Sequence, residues 1–380
     1  MIYLDSAAAT PVDEAVLAIV QPYFTDRFYN PSARYLPAKQ VKQDVDAARQ
    51  TIGSWLGCKA EEVFFTAGGT EANNLAIQGV MRQYPEANCV ISATEHDSVH
   101  EPAGQFTMRE LPVNPDGLID SSNIKNYIDD KTVLVSVNYV NSEIGTIQPL
   151  KEIAAELDAI RKERLKSGNK LPLYLHTDAC QAANYLDLHV HTLGVDMLTI
   201  NGGKVYGFKQ SGCLYVSRHL QLAPVIFGGG QERGVRSGTE NVAFAIGLAK
   251  ALDVAQLSRS EEAKRITQLR NIFISHILEN FSGAEINGST KHRIANNVHV
   301  TFPGTHNEVL QLQLEQAGVL VATGSACRAA KVKIPSRTLK AIGKTDELAA
   351  ASLRMTLGRS TTLVDLEKTL EKMRESILKN

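Results

Sequence analysis

Lys204 stands in LTINGGKVYGFKQSG, residues 198–212, between glycines. A surface lysine needs no such neighbours. A lysine joined to something flat and bulky does, because only glycine lets backbone approach that closely. An amine that is held and partly desolvated forms Schiff bases with carbonyl compounds. Three upstream stretches bear on what that partner is. Residues 66–74 read TAGGTEANN. Glycines before a helix start leave backbone N–H groups for an anion, with Gly69 and Thr70 as the contacts. An ordinary turn capped by Thr70 reads equally well. Asp178 ends a strongly apolar strand, where a carboxylate is costly unless paired. A protonated pyridine nitrogen is one partner that requires it, and a helix N-cap is the plainer use. Gln181 follows within reach of the same ring. His96, after another apolar strand, could stack on a ring and move protons, or simply be a satisfied interior histidine. Phosphate loop, stacking histidine, aspartate and lysine, in that order, are what an enzyme using pyridoxal phosphate (PLP) needs.

Cys327 lies in VATGSACRAAKVKIPS, residues 321–336, among small residues and close to Arg328, Lys331 and Lys333. Nearby positive charge favours the thiolate. The other four cysteines, Cys58, Cys89, Cys180 and Cys213, stand in apolar or helical contexts and read as buried. The glycine-rich GGGQERGVRSGTEN, residues 228–241, carries Arg233 and Arg236. It reads as an anion-binding or subunit-contact loop.

The elements that position these groups follow from the pattern. EVFFTA, NCVISAT, TVLVSVNYV, LPLYLHTD, DMLTIN and GCLYVS are short apolar runs separated by helical stretches such as 71–82 and 150–165. That alternation predicts a mostly parallel sheet covered on both faces. Polar residues follow five of the strands, and ligands bind outside the carboxyl ends of such sheets. A long helix over about 249–275 would bridge to a smaller α+β part. We expect a large domain over 15–255 and a small one from 1–14 and 256–380, carrying the cysteine loop at about 321–337.

With 40 basic and 41 acidic residues among 380, no electrostatic footprint for nucleic acid or an anionic membrane exists. MIYLDSAAATPVDEAV shows no signal peptide, and no apolar run is long enough to span a bilayer. Five cysteines without metal-ligand spacing fit a reducing cytoplasm and no metal site.

The chain resembles the PLP-dependent cysteine desulfurases of the NifS/IscS-type group, nearly end to end. The resemblance rests on IYLDSAAATPVDEAV, NPSA (30–33), FTAGGTEANNLAI, TEHDSV, VNYVNSEIG, HTDACQ, GGKVYG, GGGQERGVRSGT, GSAC and LRMTLGR. It implies a fold type I (aspartate aminotransferase-like) α/β homodimer with a seven-stranded sheet. It further implies conversion of L-cysteine to L-alanine with a persulfide on Cys327. That sulfur would go to an iron–sulfur scaffold or a tRNA-thiolating enzyme, with no direct nucleic acid binding and no membrane. By position, Lys204 would be the Schiff-base lysine and His96 the stacking, proton-moving residue. Asp178 would pair with the ring nitrogen, Gln181 with the ring oxygen, and Gly69 and Thr70 with the phosphate. Ser142 and Asn201 would also touch the cofactor, and Thr239 the phosphate of the neighbouring subunit. Asn30 and Arg354 would clamp the substrate carboxylate.

Four features depart from the family. Asn201-Gly202-Gly203-Lys204 replaces the usual Ser-Gly-His-Lys, Ser142 replaces an asparagine, and Tyr35 stands where histidine is common. The chain also ends soon after Leu378, which points to an acceptor other than the standard scaffold. Weaker cofactor retention is the expectation. The alternatives are a weakened homologue serving as a sulfur-relay partner, or another fold type I enzyme such as a selenocysteine lyase.

Overall fold

The computed structural model describes residues 1–324 and 336–377. Cys327 therefore lies outside the described residues. Strand β1 is Ile2–Tyr3, and seven strands form the central sheet: β2 (Val63–Thr66), β3 (Asn88–Ser92), β4 (Thr107–Leu111), β5 (Thr132–Ser136), β6 (Tyr174–Asp178), β7 (Met197–Asn201) and β8 (Gly212–Val216). Their order is β2-β8-β7-β6-β5-β3-β4. β8 alone runs opposite to the other six strands. Every residue of β3, β5 and β8 is buried, as expected where helices cover both faces.

Strand β4 is absent from the six apolar runs read in the sequence. It is an edge strand, paired with β3 alone in this sheet, and its TMREL exposes Thr107 and Glu110. A solvated edge carries no continuous apolar signal.

The helix Gly69–Met81 and the buried residues of β2, β3 and β8 form the apolar layer on one face. The larger core on the other face continues into the small part of the molecule. The helix expected near 249–275 spans Val242–Asn280, 39 residues, which is about 58 Å long at 1.5 Å per residue. Its first turns are buried almost all round. Beyond Gln256 only Ile266, Arg270, Phe273 and Ile277 are buried, a one-sided stripe. The helix thus leaves the large core and lies along the small one. There β9 (Glu285–Ile286), β10 (Asn297–Thr301) and β12 (Ser352–Thr356) form an antiparallel sheet, while β1 pairs with β11 (Val319–Leu320). Through β1 the first residues of the chain lie beside β11.

No described helix is long and apolar enough to cross a membrane.

Candidate active site

The chemistry-bearing residues meet at the carboxyl edge of the parallel strands. β2 runs through Gly68 into the helix Gly69–Met81, whose first N–H groups have no partner within the helix. Gly68, not Thr70, is its N-cap, so the plain capping use of Thr70 does not hold. β3 leads to Glu95 and His96, β6 ends on Asp178, and β7 runs through Asn201 into the turn of Lys204. One cleft is lined by Gly69, Thr70, His96, Ser142, Asp178, Gln181, Asn201 and Lys204. Asn73, Thr94, Ser98, Asn138, Val140 and Cys180 complete it.

Asp178 is buried, yet Oδ1 accepts from the Cys180 amide at 2.9 Å and Oδ2 from Asn73 Nδ2 at 2.8 Å. Burial alone would push its pKa up. The Cys180 hydrogen bond, the Lys204 charge and Asn73 outweigh it and hold the carboxyl below its ordinary value. Asp178 is thus built to be an anion facing a cation.

Asn73 Nδ2 also donates to Ser98 Oγ at 2.8 Å, and that hydroxyl lies 2.8 Å from His96 Nδ1. The Ser98 amide donates to the same ring nitrogen at 3.1 Å, so His96 caps the helix Asp97–Ala103. One short chain therefore ties Asp178 to His96 and fixes the imidazole. Sequence reading missed Asn73 and Ser98. Their signal was Asn73 one turn after Gly69 on one helix face, and Ser98 two residues past His96.

The glycines beside Lys204 are explained largely by the protein's own packing. A Cβ on Gly202 would stand 2.0 Å from Ser211 Oγ. The Gly203 carbonyl accepts from the Thr10 amide at 3.0 Å, and the Lys204 carbonyl from Asn184 Nδ2 at 2.7 Å. The lysine is presented by a turn locked from three sides. Asn201 Oδ1 is taken by the Gly203 amide at 3.1 Å. Gln181 donates to the Ala7 carbonyl at 3.0 Å, tying the cleft to the first residues of the chain.

Three expected site residues fall elsewhere. Arg354, on β12, is buried and reaches the cleft wall indirectly. Its Nη1 donates to the Ser142 carbonyl at 3.0 Å, its Nη2 pairs with Asp5 at 2.7 Å, and its buried Nε has no partner. Asn30 is exposed, with its side-chain oxygen on the Ser32 amide at 2.9 Å, and does not line the cleft. No described bond joins it to Arg354. Thr239 lines a second cleft with Thr66, Ala67, Ser211 and Arg236, which shares no lining residue with the first.

Of the described cysteines, Cys89, Cys180 and Cys213 are buried as expected, while Cys58 is half-buried. Burial pushes Cys58 and Cys89 up to about 12. Burial, then the Asp178 charge, pushes Cys180 well up.

The family described as Aminotransferase class-V matches residues 2–368. A cysteine desulfurase IscS of Dictyoglomus turgidum is 37% identical, over 100% of this chain and 95% of that protein. A solved NifS-like protein superposes with a TM-score of 0.90 at 27% identity, covering 100% of this chain and 99% of the other. The structure of SspA in complex with cysteine gives a TM-score of 0.78 at 32% identity, covering 94% and 99%.

Proposed function

We propose, because the chain belongs to the class-V aminotransferase family and there to its cysteine desulfurases, that it is a PLP-dependent cysteine desulfurase. The observation that carries this is the meeting of Lys204, Asp178, His96 and the helix start at Gly69 in one cleft. That donor set fits the cofactor. A helix N-terminus suits its phosphate, a buried anion suits a protonated ring nitrogen, and a lysine suits its aldehyde. Asn73 Oδ1 and Asn138 Oδ1, buried in the cleft wall without partners, mark it as a polar site. We assign Gly69, Thr70 and Asn201 to the phosphate end, His96 to the ring face, and Gln181 and Ser142 to the ring's polar edge.

When bound, PLP supplies an electron sink beside the substrate's α-carbon. We assign Lys204 Nζ to take the α-proton. Cys327 Sγ forms a bond to the substrate sulfur as the substrate's C–S bond breaks. His96 and Lys204 are the groups able to return a proton to the carbon, which leaves as alanine. Arg354 is assigned to the substrate carboxylate.

We assign Thr239 and Asn30, both outside the cleft of their own subunit, to contacts made across a homodimer. Phe24, Phe28, Leu36 and Phe227, 59–76% exposed, give such a dimer an apolar surface. The persulfide sulfur passes to an acceptor protein, an iron–sulfur scaffold or a tRNA-thiolating enzyme. An odd cysteine count fits the reducing cytoplasm.

The test is alanine and sulfide released from L-cysteine by the PLP-loaded protein with a thiol reductant. Equal amounts from wild type, and neither from Lys204→Ala or Cys327→Ala, are expected. A folded, PLP-loaded wild type that releases neither refutes the assignment.

A further inference from the structure

Beneath the cleft floor lies a row of buried polar side chains that the reaction above does not use. Ser136 ends β5, His176 lies on β6 and Thr199 on β7, and none of the three is exposed. Ser136 is the register partner of His176, and Thr199 that of Asp178. Side chains alternate along a strand, so His176 shares a face with Asp178 two residues on, under the helix Gly69–Met81. Glu95, 5% exposed, joins the row from the end of β3.

The distances make one continuous chain. Glu95 Oε1 is 3.2 Å from Ser136 Oγ, Ser136 Oγ is 2.9 Å from His176 Nδ1, and His176 Nε2 is 3.1 Å from Thr199 Oγ1. Glu95 Oε2 is buried with no hydrogen-bond partner. The Ser136 hydroxyl and the His96 and Asn138 amides only partly offset the cost of a charge there.

We infer that Glu95 is a positioning residue: through Ser136 its proton sets which ring nitrogen of His176 carries hydrogen, and it controls the charge beneath Asp178. With Glu95 protonated, its O–H donates to Ser136, Ser136 donates to His176 Nδ1, and His176 Nε2–H donates to Thr199. With Glu95 ionised, its proton has gone to solvent and every donation reverses. Ser136 then donates to the carboxylate, His176 holds its hydrogen on Nδ1, and Thr199 donates to Nε2. The imidazole keeps one proton throughout.

The charges around Glu95 favour the protonated form at neutral pH. Burial first, then the Asp178 charge, push it up to about 8. His176, facing it from β6, is kept neutral, driven down to about 4 by burial although Asp178 opposes this. Lys204, after β7, acts on Asp178. His96, next in sequence, turns its ring nitrogen to Ser98. The floor therefore carries one negative charge, at Asp178, until pH rises past about 8. A second anion then appears beneath it. On the reading of Asp178 as partner of the ring nitrogen, that second charge strengthens the nitrogen's hold on its proton.

The test uses 15N-histidine-labelled PLP-loaded protein, wild type and Glu95→Gln. In wild type, His176 should change from Nε2–H to Nδ1–H as pH rises through about 8. The glutamine amide donates to Ser136 at every pH, so the variant should hold Nε2–H throughout.

Stability gives a second readout. The folded pKa is raised, so the folded state binds the extra proton between the ordinary carboxylate value of 4.5 and about 8. Stability is lost as pH rises through that window. The unfolding constant of wild type relative to Glu95→Gln should rise by up to tenfold per pH unit there.

A His176 tautomer that ignores pH from 6 to 10 overturns the inference, as does the same stability slope in both proteins. L-Cysteine turnover by wild type separately tests the desulfurase reading, which the tautomer measurement does not need.

Discussion

Replacing Glu232 by glutamine should cost more stability than any other single-atom change in the loop that carries Thr239. Glu232 and Arg49 form a bidentate pair at 2.7 Å on both arms, with side chains 4% and 8% exposed. Glu232 Oε2 also accepts from the Phe65 amide at 3.0 Å, and Arg49 Nη1 donates to the Val63 carbonyl at 2.6 Å. The pair thus bolts residues 228–241 to β2. The bolt holds strained backbone, because Glu232 and Arg233 take φ of 46° and 56°, a region that costs non-glycine residues about 1–3 kcal/mol each.

Glutamine keeps the shape and an oxygen for Phe65, but its amide nitrogen then faces Arg49 Nη2, so the change removes both the charge and one acceptor. Arginine stays protonated, and a buried cation without its partner costs about 3–5 kcal/mol. Arg49→Met leaves the opposite orphan and should cost a similar amount. Removing both charges leaves neither, so the double variant should lose less than the sum of the singles by about 2 kcal/mol or more. Urea unfolding of the PLP-loaded proteins measures all four corners of the cycle. A loss below about 1 kcal/mol for Glu232→Gln, or strict additivity, refutes the argument.

Three further outcomes follow. A Cβ on Gly69 would stand 2.8 Å from Cys180 Sγ and 3.4 Å from Asn201 Cβ, so Gly69→Ala should weaken PLP binding roughly 10- to 100-fold by overpacking of about 1–3 kcal/mol. Equilibrium dialysis reads this, and adding Cys180→Ala should recover most of it. Gly203→His should tighten PLP binding about tenfold or more by restoring a charge-assisted hydrogen bond. A Cβ there meets Lys209 Cγ at 3.3 Å, an easy adjustment of a flexible chain, and unchanged affinity refutes the idea. Acid should destabilise the protein through His299, whose burial, then the Arg354 and Arg293 charges, drive it down to about 3 from an ordinary 6.5. A depressed folded value means that the unfolded chain binds the extra proton, so stability present above 6.5 is lost as pH falls toward 3. His299→Gln should flatten that decline, and an equal slope in both proteins counts against it.

Much of the site was legible because strand ends announce themselves. EVFFT, CVISAT, LYLHTD and LTIN each leave the core at a polar residue, and the sheet order brings those ends together. A run that is buried on both faces has few ways to be anything but an inner strand. The edge strand TMREL lacks that property and was missed. Asn73 was invisible for another reason: its value lies in reaching Asp178 and Ser98 at once, from a different element. Thr239 and Asn30 do not line the cleft, so strand ends alone give them no place in it.

The polar row under Asp178 was hidden by the same pattern that revealed the strands. Leu134 and Ser136, Tyr174 and His176, and Met197 and Thr199 are same-face pairs in which an apolar residue precedes a polar one toward the carboxyl end. In each strand alone the second residue looks like ordinary variation. Only register turns three such positions, with Glu95, into a connected layer between the apolar core and the cleft. Burying three hydroxyl and imidazole groups and a carboxyl costs stability unless each is satisfied. Glu95 Oε2 is not satisfied. A layer that spends stability while spanning the strands beside Asp178 is better explained by control of charge at the site than by folding.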